Sequence, residues 1–163
     1  YTVGDKAYGY YGFGDLFVFL FFGVVSVLGA YFVQLKTFSV PAFLLAIVVG
    51  FLSVGVLNLN NMRDQVNDAA VGKNTLVVIL GAANAKRYHL FLLILAVSIL
   101  VYVFTSVSIT FFWIPFIAII PLLVHFISII KNHEPKGFDP ELKKLALSTF
   151  LLSLLVFLTF YLG

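Results

Sequence analysis

The chain has 163 residues, of which 62% are hydrophobic and only 10% are charged, and its mean hydropathy is +1.10. Soluble domains are only about half apolar, so this composition indicates an integral membrane protein. The formal net charge of +3 comes from lysines and arginines between apolar stretches, so nucleic-acid binding is not expected, and the absence of cysteine excludes disulfides and thiolate metal sites.

Five apolar stretches are each long enough to cross a bilayer, which takes about 20 helical residues. Backbone groups that face lipid have no water to bond, so each stretch is expected to form a helix. We therefore predict an all-α polytopic membrane protein with a single transmembrane helical domain over residues 1–163. The predicted helices are Leu16–Gln34, Val40–Leu59, Tyr88–Val107, Thr110–Ile130 and Leu145–Leu162.

The segment before the first helix, Tyr1–Gly14, is rich in glycine and tyrosine and is predicted to be a loop. The chain does not begin with methionine, and its sole methionine is Met62. We therefore expect the chain to be a piece of a longer protein or a processed chain.

The charged residues predict how the helices are oriented. Five antiparallel spans place nearly all lysines and arginines, and every acidic residue, at one end of the bundle, with Lys36 alone at the other end. Short loops rich in lysine and arginine stay in the cytoplasm, so we expect this charged end to be cytoplasmic.

The segment between the second and third helices holds an unusual concentration of polar groups. If the second helix continues past Leu59, Asp64 and Asp68 lie four residues apart on one helical face. Carboxylates suit Mg²⁺, which is commonly shared with substrate phosphates, and Arg63 and Lys73 supply complementary positive charge. Gly72 is expected to permit the turn that brings Lys73 to the site. The alternative interpretation is a solvated helix end without ligand.

Two motifs give the chain a family resemblance. Asn60-Asn61-Met62-Arg63-Asp64, followed by Asp68 and by Gly72-Lys73-Asn74-Thr75-Leu76, resembles the second aspartate-rich motif of UbiA-type intramembrane prenyltransferases. Tyr1-Thr2-Val3-Gly4 and Gly9-Tyr10-Tyr11-Gly12-Phe13-Gly14-Asp15 resemble a loop that precedes a family helix. The chain is most similar to the branch that uses 1,4-dihydroxy-2-naphthoate.

The resemblance implies a bundle of nine helices with two aspartate-rich motifs facing each other across its cytoplasmic mouth. This chain would supply the fifth to ninth helices and the second motif, residues 60–76. The other motif would lie in a missing N-terminal half, so we expect the 163-residue chain alone to be inactive.

The resemblance also implies an activity. The full-length enzyme would transfer a polyprenyl group from polyprenyl diphosphate to 1,4-dihydroxy-2-naphthoate, releasing CO₂ and diphosphate and giving demethylmenaquinone for menaquinone biosynthesis in the bacterial cytoplasmic membrane. The implied roles are Mg²⁺ binding by Asp64, Asp68 and Asn61, diphosphate binding by Asn60, Arg63 and Lys73, and contact with the acceptor or shielding of a carbocation by Tyr1 and Tyr10.

Other interpretations remain open at this point. A different aromatic acceptor, such as 4-hydroxybenzoate, is compatible with the same motifs. A transporter would carry ionisable residues at mid-membrane depth, where His125 is the deepest candidate. A lipid phosphotransferase would carry a longer aspartate signature than this one. The histidines His89, His125 and His133 are too scattered for a metal cluster, so we expect interfacial or packing roles.

Overall fold

The computed structural model describes residues 12–132 and 134–163, and this part of the chain is helical without any strand. Five helical spans are long and apolar enough to cross a membrane, which confirms the predicted all-α membrane architecture. The chain is therefore an integral membrane protein. The spans are Gly14–Leu35, Val40–Ala70, Leu76–Ser106, Ile114–Lys131 and Pro135–Leu162.

The first span is not a uniform α-helix. It consists of α1 (Gly14–Val18), a π-helical segment (Phe19–Val25) and α2 (Ser26–Leu35). The span ends where Lys36 adopts a left-handed conformation (φ 53°) and its N–H bonds the carbonyl of Phe32 at 2.8 Å. The observed bounds lie close to the predicted Leu16–Gln34.

The second span is the single helix α3 (Val40–Ala70), which begins at Ser39, whose hydroxyl accepts a hydrogen bond from the N–H of Ala42. We predicted the membrane-crossing part to end at Leu59, where apolar residues give way to asparagines. The helix continues for eleven more residues instead. The polar motif therefore lies mostly on a helix, which is the condition that places Asp64 and Asp68 on one face.

The third span, α4 (Leu76–Ser106), begins well before the predicted start at Tyr88. That boundary was wrong because Lys86 and Arg87 suggested a loop, whereas Thr75, thirteen residues before Tyr88, caps the helix by accepting a hydrogen bond from the N–H of Val78. The helix is broken at Gly81, whose φ of 75° and ψ of 161° are not helical.

The last two spans each begin with a 3₁₀ turn. Residues Ile114–Ala118 lead into α5 (Ile119–Lys131), and Pro135–Phe138 lead into α6 (Asp139–Leu162). The predicted start of the fourth helix at Thr110 was therefore too early, and that of the fifth at Leu145 was too late. Each 3₁₀ turn has a proline near its beginning, which favours a helix start that hydropathy alone does not locate.

Helix α3 lies at the centre and packs against the first span, α4 and α6. Its contact with the first span is very close, because a Cβ on Gly23 would lie 2.5 Å from Cα of Gly50. The end of the bundle at which α3 leads into α4 also holds the end of α5. There Nζ of Lys86, on α4, donates to the carbonyls of Ile130 and Asn132 at 2.8 and 2.7 Å. We call this end of the bundle the charged end.

Candidate active site

The last three turns of α3 present the predicted site residues. Asn61 and Asp68 are buried, with 2% and 9% of their surfaces exposed, whereas Asn60 and Asp64 are half-buried. Because α3 is helical through Ala70, Asp64 and Asp68 lie about one turn apart on the same side. Two carboxylates therefore project from one helix at the charged end.

Arg63 is the centre of a hydrogen-bonded cluster. Its Nε and Nη2 atoms contact the two carboxylate oxygens of Asp64 at 2.8 and 2.7 Å. Nη2 also donates to Oδ1 of Asn60 at 2.8 Å. The planar guanidinium makes this two-point contact possible, and a lysine could not reproduce it. Arg63, Asp64 and Asn60 thus form one polar unit.

Lys73 forms a second unit with Asp68. The chain leaves α3 through Gly72, which has a φ of 72°. The N–H groups of Gly72 and Lys73 bond the carbonyls of Ala69 and Asp68, at 3.1 and 2.9 Å, in the pattern of a Schellman motif. The turn directs Nζ of Lys73 to the carboxylate of Asp68, at 2.9 and 3.1 Å. The turn predicted at Gly72 is therefore present.

A third carboxylate joins the site from α6. Oδ1 of Asp139 accepts a hydrogen bond from Nη1 of Arg63 at 3.0 Å, so the guanidinium bridges two helices. Our reading of the sequence placed Asp139 at the same end of the bundle but assigned it no role. The only available signal was the Asp-Pro pair at the beginning of a helix, which locates a helix start and says nothing of its partner.

The donor groups fit a hard divalent cation that shares its ligands with a phosphate. Within residues 12–132 and 134–163, no group of three or more His, Asp or Glu side chains is placed to hold a metal ion. Asp64 and Asp68 are thus two carboxylates with which Asp139, bound to Arg63, does not complete a group of three ligands. Mg²⁺ is commonly bound by one or two carboxylates while water and substrate phosphates complete its octahedron, so the pair is chemically suited to it.

An apolar cleft adjoins this polar unit. It lies between the first span, α3 and α6, and has a volume of about 470 Å³. Asn60 lines the cleft and also binds Arg63, so the side chain lies at the junction between hydrocarbon and charge. The lining also includes Phe22, Ser53, Val56, Leu142, Ala146 and Thr149.

Asn58 is fully buried, one turn before Met62 on the side of α3 away from the cleft. Neither its Oδ1 nor its Nδ2 has a hydrogen-bond partner among the residues that the structure describes.

The N-terminal motif, which ends at Asp15, lies only partly within the described residues. Tyr1 and Tyr10 lie outside the described residues, so their predicted contact with the acceptor stays a prediction. Gly12 has a φ of 77°, and a Cβ on it would lie 3.4 Å from the carbonyl oxygen of Asn74. The end of the N-terminal motif therefore packs on the loop that follows Gly72.

Two of the histidines are not scattered. Nε2 of His89 and Nε2 of His125 are 2.9 Å apart, and Nδ1 of His125 lies 2.7 Å from Oε2 of Glu141. Of the two roles that we expected, packing applies to this pair and an interfacial position does not, because both imidazoles are fully buried where α4, α5 and α6 come together. His133 lies outside the described residues.

Comparison with known proteins gives consistent results. The sequence model of the UbiA prenyltransferase family matches residues 1–155 of the chain. A 1,4-dihydroxy-2-naphthoate octaprenyltransferase of Haemophilus influenzae is 38% identical over 166 residues, covering 100% of this chain and 53% of that protein. The protein of the same name in Escherichia coli is 39% identical with the same coverage.

A third relative of that name, from Mycobacterium tuberculosis, is 45% identical over 96 residues, which is 59% of this chain and 33% of that protein. The matches to the Haemophilus influenzae and Escherichia coli proteins cover all of this chain, which spans about half the length of each of those relatives. No solved structure matches the chain.

Proposed function

Because this chain belongs to the UbiA prenyltransferase family, we propose that the complete protein transfers a polyprenyl group from polyprenyl diphosphate to 1,4-dihydroxy-2-naphthoate. The products would be the hydroquinone form of demethylmenaquinone, CO₂ and diphosphate. The acceptor is inferred from the names of the relatives that match the whole chain.

The observation that carries the proposal is the continuity between the apolar cleft and the polar unit of Arg63, Asp64 and Asn60. A polyprenyl diphosphate has a highly charged head and a long hydrocarbon tail, so its site must join a polar region to an apolar one. The cleft would hold the part of the tail nearest the head, and Asn60 would lie beside the bond that breaks.

The charged side chains would bind the head group. Arg63 and Lys73, each paired with an aspartate in the free protein, would turn toward the diphosphate oxygens, and Asn60 would donate its amide N–H. Asp64 and Asp68, with Asn61, would hold Mg²⁺, which when bound supplies neutralisation of the diphosphate charge as it develops.

The reaction is a substitution at the allylic carbon. The bond between this carbon and the diphosphate oxygen breaks, and its electron pair leaves with the diphosphate. The ring carbon of the naphthoate that bears the carboxylate then forms a bond to the allylic carbon. Loss of CO₂ returns an electron pair to the ring. The positive side chains Arg63 and Lys73 would favour the first step by stabilising the leaving group.

We further propose that the charged end faces the cytoplasm of a bacterium. The short segments there hold most of the lysines and arginines, and short basic loops remain on the cytoplasmic side. Both substrates would then reach the site from the cytoplasmic leaflet.

The decisive experiment measures transfer of a radiolabelled polyprenyl group by the complete protein in membranes, with naphthoate or 4-hydroxybenzoate as acceptor and with or without Mg²⁺. We expect Asp64→Asn and Asp68→Asn each to lower turnover at least about 100-fold, because each removes a charged ligand. Asn67→Ala, an exposed position on the same turns of α3, is the matched control and should retain activity.

Mg²⁺-dependent turnover that survives in both aspartate variants would refute the site. Preference for hydroxybenzoate would refute the acceptor while leaving the prenyl transfer intact.

A further inference from the structure

A series of four polar side chains in mutual contact runs between α4, α5 and α6. Lys144 contacts Oε1 of Glu141 at 2.5 Å, Oε2 of Glu141 lies 2.7 Å from His125, and His125 lies 2.9 Å from His89. Both imidazoles are 0% exposed and Glu141 is 4% exposed. Buried polar groups are often no more stabilising than apolar residues of similar volume. Such groups can instead fix the relative positions of the helices that carry them.

One end of this series, His89, packs on α3, the helix that carries the site. A Cβ at Gly55 would lie 3.5 Å from Cε1 of His89, so the imidazole packs on the backbone of α3. Gly55 precedes Asp64 by nine residues, which is about two and a half helical turns.

Toward the other end of the series, Glu141 lies in the first turn of α6, close in sequence to Asp139, which is the partner of Arg63 on that helix. Glu141 points to the buried His125, and Asp139, two residues earlier, accepts a hydrogen bond from Arg63. The side chain of Asp139 is 57% exposed. An exposed ion pair holds its partners weakly by itself, so the position of Asp139 depends on how firmly this turn is held.

We propose that Glu141 is a positioning residue for Arg63. With His125 and His89 it fixes the first turn of α6 against α4 and α5, so that Asp139 holds one arm of the guanidinium. Without this second acceptor, Arg63 would be held only by Asp64 and Asn60, both on α3, and Nη1 would lose its partner on α6. The inference rests on the proposed function, in which Arg63 binds the donor diphosphate and Asp64 serves as a metal ligand.

The test uses the complete protein in membrane vesicles and measures the KM for polyprenyl diphosphate, kcat and the unfolding midpoint. The variants are Glu141→Gln, Asp139→Asn and their combination. We expect each single variant to raise KM about tenfold and to change kcat less than about twofold, because donor binding is weakened equally in the ground and transition states. A purely structural role would reduce the amount of active protein without changing KM.

The combined variant distinguishes a shared action from two separate ones. If Glu141 acts through Asp139, the double substitution should raise KM no more than about tenfold, because both changes disable the same contact. The matched control Glu134→Gln, in the exposed turn before α6, should leave every quantity unchanged. An unchanged KM in Glu141→Gln, or increases that multiply in the combined variant, would overturn the proposal.

Lys144→Gln provides a second test if Glu141→Gln does not fold. Lys144 is 47% exposed, so its replacement is mild, and it removes the contact to Oε1 of Glu141. We expect KM to rise about threefold in the otherwise unchanged protein, and not to rise in the Asp139→Asn background. An equal rise in both backgrounds would contradict the proposal.

A measurement without substrate separates this inference from the proposed function. The unfolding midpoints of Arg63→Gln, Glu141→Gln and the double variant form a cycle that needs no activity. Non-additive midpoints in a protein that shows no prenyl transfer would support the link and refute the proposed function. Additive midpoints in a protein with normal prenyl transfer would refute the link alone.

Discussion

Lys73 contacts Asp68 twice: its backbone N–H donates to the carbonyl oxygen of Asp68 at 2.9 Å, and its Nζ lies 2.9 Å from the carboxylate. Both contacts depend on the left-handed conformation of Gly72. A single residue without a side chain thus determines where a cation of the site is placed.

Gly72→Ala should therefore weaken both folding and donor binding. Open space surrounds the position, so the cost comes from the φ of 72° alone, and we expect a loss of about 1 kcal/mol in the free energy of unfolding. The measurement is thermal unfolding in detergent together with the KM for polyprenyl diphosphate. Gly29→Ala is the matched control, because Gly29 is helical and equally uncrowded. Equal behaviour of the two variants would contradict this explanation.

Arg63→Lys should raise the KM for polyprenyl diphosphate about tenfold, although the charge is conserved, because an ammonium cannot contact Asp64 at two points and also reach Asn60 and Asp139. Steady-state kinetics on the complete protein check this. Arg87→Lys is the control, since Arg87 is exposed and makes one contact of 3.4 Å with Asn84. A wild-type KM in Arg63→Lys would show that charge alone is sufficient.

Gly23→Ala should destabilise the packing of the first span on α3. The added Cβ would lie 2.5 Å from Cα of Gly50 and 2.8 Å from the carbonyl oxygen of Ala46, both backbone atoms that cannot rotate away. We expect a loss of about 1–3 kcal/mol, as for overpacking in a core. Denaturation measured in detergent micelles tests this expectation, again with Gly29→Ala as the reference. An unchanged stability would mean that the two helices separate at little cost.

Ala146→Phe should shorten the cleft and select against long donors. Ala146 lines the cleft on α6, and a phenyl group there would occupy part of its 470 Å³. We expect the kcat/KM ratio of long-chain to short-chain donors to fall about tenfold or more. Leu154→Phe, on the same helix but not among the cleft residues, should leave the ratio unchanged. A parallel fall for all chain lengths would indicate general damage instead of a tail-binding cleft.

The sequence was sufficient to predict features that depend on local pattern. Hydropathy located all five spans, and the spacing of Asp64 and Asp68 predicted their common face on a continued helix. Gly72 indicated the turn to Lys73, because a glycine after the last helical residue is a local signal.

Features that depend on how distant helices pack were not predictable in the same way. The start of α4 at Leu76 is determined by the cap at Thr75, and Lys86 is satisfied by carbonyls at the end of α5, so a polar stretch that suggested a loop is helical. The pairing of Arg63 with Asp139, 76 residues away, and the contact of His89 with His125 follow no spacing rule. Each requires the relative placement of two helices before it can be recognised.

The cluster of Asp64, Asp68 and Asp139 with Arg63 and Lys73 has one more carboxylate than it has cations. Its formal charge is therefore negative, although two cations are proposed to bind an anion. An incoming diphosphate without metal would meet net repulsion, whereas a divalent ion, or a diphosphate already complexed with one, would be attracted. Pyrophosphate should accordingly bind weakly in the presence of a chelator and more tightly when Mg²⁺ is added, so the charges of these five side chains favour a metal ion that arrives before the diphosphate or together with it.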